Sequence, residues 1–294
     1  MKFLSNAIFK AAAWAASILP AKVKRLFYRI SFLSKLIRKT LNAATPAGFT
    51  QVTIASGPAA GLDMSLDLHA EKDYWLGTYE PDLQIAAQKL VSPGNMVYDI
   101  GANIGYISLM CTNLTGEAGH IFSFEALPKN IDRFKENVAI NHLASRITIV
   151  HAAVVSQSGP VTFYTHASGA MGKAAGSAGR DEDYLDSVTV NGVALDDFVY
   201  LDNNPAPDVV KMDIEGGEGN ALLGAQKLLS SYKPNFLIEL HGEVAARMVW
   251  ETLVSHGYQI HTLKRNYPQV DNVAQLDWKA YIAAIHRSKT ISLK

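Results

Sequence analysis

Four side chains in the C-terminal half have the types and the spacing for proton transfer. In Lys211-Met212-Asp213-Ile214-Glu215 two acids alternate at the end of an apolar run, and in Ile238-Glu239-Leu240-His241 an acid and an imidazole alternate in the same way. Alternate residues of a strand share a face, so two adjacent strand ends would gather Asp213, Glu215, Glu239 and His241. An imidazole oriented by a carboxylate can take a proton near neutral pH. Asp213, nearest the carboxyl end of its strand, is the first choice for general base or for positioning an acceptor, with Glu215 beside it. The same donors suit manganese or zinc. No metal ligand is assigned, and a divalent cation stays an open alternative. Glu218 reads as a first-turn helix acid favoured by the dipole.

A second constellation lies upstream. Val97-Tyr98-Asp99-Ile100-Gly101-Ala102-Asn103-Ile104-Gly105-Tyr106 is an apolar strand with a late carboxylate, running through a glycine-spaced turn into a helix. Glycine tolerates positive φ and lets the backbone approach a ligand. Doubly wound folds bind ligands at strand carboxyl ends, where the strand order switches. Gly101 and Gly105 are therefore expected to floor a nucleotide-like pocket. The spacing Gly-x-Asn-x-Gly differs from the dinucleotide fingerprint, which disfavours an NAD-dependent dehydrogenase. Glu125, just past the next strand in Phe122-Ser123-Phe124-Glu125, can accept hydrogen bonds from both hydroxyls of a ribose. The small residues of Ile149–Val154, Ala153 among them, leave room for an adenine ring.

These residues need a scaffold that the hydrophobic pattern supplies. Phe49–Ala55 and Leu62–Leu68 alternate around a Gly/Pro turn and predict a small antiparallel hairpin, followed by a helix over Asp82–Val91. Strand and helix patterns then alternate: Met96–Ile100, Tyr106–Leu114, His120–Phe124, Asn130–His142, Ile147–His151. After shorter strands at Val161–Tyr164 and Val188–Val190 come Val209–Ile214, a single helix over Asn220–Leu229, Phe236–Leu240, Val244–His256, Tyr258–Leu263 and Lys279–Ile285. That order predicts an α/β fold, a Rossmann-like doubly wound sheet of seven mostly parallel strands. The small-residue run Ser168–Gly179 predicts a mobile surface loop and a place for acceptor specificity.

With 294 residues, 48% hydrophobic and 18% charged, the chain has material for a large core and is not disordered throughout. A single cysteine, Cys111, excludes an intrachain disulfide framework and a cysteine zinc cluster. The 27 basic and 27 acidic side chains balance only in total. Residues 1–45 carry nine Lys/Arg and no acid, and Val23, Leu26, Phe27, Ile30, Leu33, Ile37 and Leu41 recur there at helical spacing. This predicts a basic amphipathic helical extension that either packs on the protein or attaches peripherally to an anionic membrane. The apolar run Ala11–Ala21 is too short to span a bilayer. A cytoplasmic protein is the expectation, with attachment to the inner face of a membrane as one of the two readings of the helix, and nothing reads as a nucleic-acid-binding head. The expected divisions are 1–45, 46–92 for the hairpin and first helix, and 93–294 for the main domain; oligomeric state is not readable.

Taken together, Asp99–Tyr106, Phe124-Glu125-Ala126-Leu127-Pro128 with Asn137 and Asn141, Lys211–Glu218, Leu223-Gly224-Ala225 and Ile238-Glu239-Leu240-His241-Gly242 resemble the FkbM family of class I Rossmann-like methyltransferases. Tyr74–Pro81 is similar to the segment preceding that family's nucleotide domain, and residues 1–45 lie outside the resemblance. Ala126 and Gly217 depart from the family's commoner proline and alanine. The resemblance implies S-adenosyl-L-methionine as cofactor and methyl transfer to a hydroxyl of a sugar, glycolipid or other small molecule. It implies donor contacts at Asp99, Gly101, Asn103, Gly105, Tyr106, Glu125 and Ala153, with Glu80 or Asp99 near the methionine amino group. Trp75 and Tyr79 read equally as core and as aromatic faces for the sulfonium. The competing class is a nucleotide-binding module without turnover.

Overall fold

The computed structural model describes residues 48–166, 171–179, 184–277, 279–289 and 293. The basic helix expected within residues 1–45 lies outside them. The chain divides into two units, residues 1–81 and 82–294.

In the first unit, β1 (Phe49–Thr53) and β2 (Asp63–Asp67) pair antiparallel, Phe49 opposite Asp67, as the alternating pattern predicts. A short helix α1 (Lys72–Leu76) follows and is tied back to the hairpin. Ala55 donates its N–H to the Trp75 carbonyl at 2.8 Å, and the Ser56 hydroxyl donates to the Leu76 carbonyl at 2.6 Å.

The second unit opens with α2 (Pro81–Leu90), whose proline and Asp82 suit a helix start. Strands β3 (Met96–Ile100), β4 (His120–Glu125) and β5 (Ile147–His151) alternate with helices α3 (Tyr106–Thr115) and α4 (Pro128–Ile140). A second, four-stranded sheet follows, in the order β6 (Ala153–Val154), β9 (Tyr184–Val193), β7 (Gly159–His166), β8 (Gly172–Ala174). After α5 (Leu195–Tyr200) the chain re-enters the main sheet through β10 (Val209–Met212). It continues with α6 (Glu218–Leu223), α7 (Gln226–Ser231), β11 (Asn235–Glu239), α8 (Glu243–Ser255), β12 (Tyr258–Thr262), β13 (Gln269–Val270) and β14 (Tyr281–His286).

The main sheet runs β13-β12-β14-β11-β10-β3-β4-β5, eight strands rather than the expected seven. The difference is β13, a two-residue edge strand too short to leave a pattern in the sequence. Strands β5, β4, β3, β10 and β11 are mutually parallel, and β14 runs antiparallel between β11 and β12. The order switches at β3, which has β4 on one side and β10 on the other. Strands covered on both faces carry continuous apolar runs. Tyr98, Phe122, Phe124 and Phe198 fill one side, with ring centroids 5.0–5.7 Å apart.

Two expectations change. The single helix over Asn220–Leu229 is two, α6 and α7. A Cβ on Gly224 would stand 2.5 Å from the Val155 carbonyl oxygen, and the Asp196 carboxylate accepts from Lys227 N and Leu228 N, both at 2.9 Å. A residue some thirty positions upstream thus caps α7, satisfying amides that a continuous helix would have bonded internally. The small-residue run is also more than a surface loop over its described part, 171–179. Residues Gly172–Ala174 form β8, and the Ala178 N–H donates to the Gly216 carbonyl at 2.9 Å. The Asn220 amide donates to the Gly176 carbonyl at 3.0 Å.

Candidate active site at the carboxyl ends of the main sheet

At the end of β3 the backbone turns away through Gly101, at φ +78°, where a Cβ would lie 1.9 Å from the Asp213 carbonyl oxygen. Gly105, at φ +91°, would place a Cβ 2.2 Å from the Phe134 ring. Both glycines are therefore required by the protein's own packing, before any ligand is considered. The N–H groups of Gly101 and Ala102 donate to the Phe124 carbonyl, at 3.0 and 2.9 Å. Asn103 takes a left-handed conformation, φ +51°, which asparagine tolerates better than most residues, and its N–H donates to Glu125 Oε2 at 2.8 Å. Tyr106 opens α3 as a buried residue whose hydroxyl accepts from the Gln84 amide at 3.2 Å.

Glu125 sits at the end of β4 as the sequence predicts. Its Oε1 accepts from Leu127 N at 2.9 Å and from the Asn130 amide at 3.2 Å. Burial pushes its pKa above the usual carboxylate range, and the bonds from Leu127, Asn103 and Asn130 pull against that shift. A carboxylate has about four acceptor positions, and these three bonds leave room for a further donor. Ala153, on β6, packs with Ala126 and Leu127, the residues that follow Glu125. Asp99 lies inside the end of β3. Its carboxylate is wholly buried, accepts from the Ser108 hydroxyl, and lies 3.3 Å from Lys211 Nζ. It links β3, α3 and β10, and its Oδ1 carries no hydrogen bond. Glu80 belongs to the first unit, in a left-handed conformation at φ +43° just before α2.

The four residues proposed for proton transfer do come together. From His241 Nε2 the nearest carboxylate oxygens are those of Glu239 at 3.6 Å, Asp213 at 3.7 Å and Glu215 at 3.8 Å. His241 is 7% exposed and follows β11; Asp213 and Glu215 lie on the loop after β10, Glu215 with φ +52°. Where Gly216 meets Gly179 the two backbones touch, since a Cβ on Gly216 would stand 2.0 Å from the Gly179 nitrogen. The second sheet thereby delivers 176–179 onto the loop that carries the acids.

Three residues of this site were not assigned to it from sequence. Glu218 is wholly buried, and its Oε1 meets His241 Nδ1 at 3.0 Å while accepting from Ile214 N and Gly216 N, both at 3.2 Å. Burial alone would lower the pKa of His241. The bond and charge of Glu218, with the charges of Asp213 and Glu215, outweigh it and raise the pKa to about 9. The surrounding carboxylates thus favour the protonated ring when nothing else is bound. Lys211 links the two ends of the site: its Nζ donates to the Gly101 carbonyl at 3.0 Å and lies 3.9 Å from Asp213 Oδ2. Tyr281, on β14, donates its hydroxyl to Glu239 Oε2 at 2.6 Å. The period-two alternation that places Asp213 also places Lys211 on the same face. For Glu218 and Tyr281 no local signal exists.

Residues 99–260 match the family model described as the methyltransferase FkbM domain. Over 160 residues the chain is 29% identical to hexuronic acid methyltransferase AglP of Haloferax volcanii, covering 54% of this chain and 61% of that protein. The chain thus spans about three fifths of the curated relative's length. Among solved structures, the methyltransferase FkbM of Methylobacillus flagellatus superposes with a TM-score of 0.45 at 19% identity, over 76% of this chain and 56% of that one. The precorrin-6y C5,15-methyltransferase of Geobacter metallireducens gives 0.43 at 17% identity, over 71% and 88%. Because the family model covers more than half of the chain and takes in both the glycine turn and the His241 cluster, the chain belongs to the FkbM methyltransferase family.

Proposed function

We propose that the protein transfers a methyl group from S-adenosyl-L-methionine to a hydroxyl of a sugar, glycolipid or related acceptor. The observation that carries this reading is a shared end of the main sheet: the buried carboxylate of Glu125 ends β4 on one side of the switch strand β3, and the carboxylate cluster around His241 lies at the ends of β10 and β11 on the other. The residues present fit the donor: Glu125 keeps acceptor capacity for a ribose hydroxyl, and the small residues Ala126, next in sequence, and Ala153 pack together beside it in one cluster with Leu127. S-adenosyl-L-methionine supplies, when bound, a methyl group on a sulfonium, so that the C–S electron pair leaves with sulfur as the new C–O bond forms.

The chain has two tasks in that reaction. Holding acceptor and donor in line removes roughly 7–11 kcal/mol of barrier, and the turn that positions the donor is braced against the acceptor strand through Lys211 and the Gly101–Asp213 contact. The second task is to receive the hydroxyl proton. Asp213, partly exposed among the cluster, is the first choice, with Glu215 and Glu239 beside it. His241 orients all three, and Glu218 fixes the ring through Nδ1. General-base assistance of this kind is worth about 10²–10⁴-fold. The relative named for hexuronic acid supports an acidic sugar as acceptor, and the nine Lys/Arg of residues 1–45 support an acceptor carried on an anionic membrane.

Incubation of the full chain with isotope-labelled S-adenosyl-L-methionine, a glycan and lipid extract, and uronic-acid oligosaccharides tests this. The expected product gains one labelled CH₂ unit at a hydroxyl, read by mass spectrometry. Donor binding by calorimetry with no labelled product would favour the module without turnover. Binding of NAD in preference to S-adenosyl-L-methionine would overturn the reading.

A further inference from the structure

We propose that Asp213, Glu239 and His241 form a site for a divalent transition-metal cation that activates the acceptor hydroxyl. One ligand atom from each of the three lies within 4.8 Å of the other two. The distances around Nε2 carry the argument. It stands 3.6 Å from a Glu239 oxygen and 3.7 Å from an Asp213 oxygen, too far for a hydrogen bond to either. Metal bonds of about 2.0–2.2 Å place two donors roughly 3.3–3.6 Å apart at the tetrahedral angle and slightly further at wider angles. The spacing is close to that of ligands sharing an ion and too long for partners bonded to one another.

A second observation is independent of the acids. His241 is a side chain more than nine-tenths buried, aimed between these carboxylates with no hydrogen-bond partner on Nε2. Its other nitrogen is already engaged by Glu218, a carboxylate–histidine arrangement that fixes which nitrogen faces an ion and raises its basicity. Tyr281 does the same for Glu239: by occupying Oε2 it leaves Oε1 facing Nε2. Two carboxylate oxygens and one imidazole suit manganese or zinc. Three protein ligands leave an open position, the mark of a catalytic site over a structural one.

The acceptor hydroxyl takes that open position and its pKa falls. With Asp213 committed to the ion, Glu215, 3.8 Å from Nε2 on the same loop, becomes the proton acceptor: the O–H bond breaks, its proton passes to the Glu215 carboxylate, and the freed oxygen pair forms the bond to the methyl carbon of the sulfonium donor as the C–S bond breaks and its electron pair leaves with sulfur. This step rests on the methyl-transfer reading; the site itself does not.

The test uses the full chain, stripped with EDTA and titrated with Mn²⁺, following loss of the free Mn²⁺ signal by electron paramagnetic resonance. One ion per chain is expected. Glu239→Gln and His241→Ala should each weaken binding tenfold or more, Tyr281→Phe a few-fold, and Glu251→Gln, exposed on α8, not at all. Thermal unfolding of each variant separates lost ligands from lost fold, and near-isosteric Glu239→Gln carries the result if His241→Ala fails to fold. Absence of a saturable Mn²⁺ isotherm, or one unchanged in folded Glu239→Gln, overturns the proposal. Calorimetry with S-adenosyl-L-methionine on the same samples is read separately. Mn²⁺ binding without donor binding sustains the cation site and sinks the methyl-transfer reading, and the reverse sinks the cation alone.

Discussion

The carboxyl ends of β3 and β4 and those of β10 and β11 carry similar residues and are built in opposite ways. At the first pair, every acid is engaged by the protein. Asp99 is shared by Ser108 and Lys211, and Glu125 by Asn103, Leu127 and Asn130. At the second pair, three carboxylates surround one imidazole nitrogen at 3.6–3.8 Å and none bonds to it. Preorganised polar groups cost no rearrangement when a ligand arrives, so the first end is finished as a rigid seat. The second end gathers its carboxylates around Nε2 without a direct bond to it, while Tyr281 and Glu218 hold the flanks. Lys211, reaching both Gly101 and Asp213, makes the geometry of one depend on the other.

If this division is right, the largest effect belongs to the second end and leaves the first untouched. Asp213→Asn should lower kcat by about 10²–10⁴-fold, the span of general-base catalysis, whether Asp213 takes the proton itself or holds an ion beside Glu215, while the Kd for S-adenosyl-L-methionine stays within about twofold, an equilibrium change of under 0.5 kcal/mol. Single-turnover kinetics with calorimetry measures both. A donor Kd that rises along with the loss of kcat would show that the ends are one structure. Gly101→Ala attacks the joint between them. Its methyl would meet the Asp213 carbonyl oxygen at 1.9 Å on a backbone at φ +78°. Strain and overpacking of that kind cost about 2–6 kcal/mol together. A thermal midpoint close to that of the parent would mean that the β3–β10 contact yields easily.

Much of the first end is legible in the chain itself. Continuous apolar runs give β3 and β5 with their observed bounds, and the turn from Gly101 to Gly105 follows from residues adjacent in sequence. Period two suffices to bring Asp213, Glu215, Glu239 and His241 to one place, because β10 and β11 pair directly. What stays hidden depends on partners far apart. Glu218 fits a helix-start pattern so well that nothing marks it as the carboxylate on His241, 23 residues later. Asp196 caps α7 from another part of the fold, and Gly176–Gly179 acquire their place through contacts with Gly216 and Asn220, some forty residues later. Asp99 shows a further limit. An acid beside a glycine turn invites a ligand contact, and nothing local reveals that it also lies 3.3 Å from Lys211 on the neighbouring strand.

Smaller effects sharpen the picture of the first end. Glu125→Gln replaces one acceptor oxygen with an amide that faces donors: whichever way it turns, Asn103 N–H or Leu127 N–H loses its partner. A buried donor left unsatisfied costs about 1–3 kcal/mol. The donor Kd should rise about 10–100-fold, with kcat at saturating donor close to the parent value. A fall in kcat without weaker donor binding would remove Glu125 from the ribose and leave it a purely structural acid.

The finest distinction concerns Asn103, where the side chain and the backbone make separate claims. Only the N–H is seen to act, donating to Glu125 from a left-handed conformation that glycine adopts at least as readily. Asn103→Gly retains that donor and relieves the φ, at the cost of a more flexible unfolded chain. The two contributions oppose each other, so stability should move by no more than about 1 kcal/mol and the donor Kd by less than threefold. A larger loss of affinity with unchanged stability would assign the Asn103 amide a direct contact with the donor. It would also mean that the rigid end keeps one group in reserve for its ligand, as the His241 end keeps several.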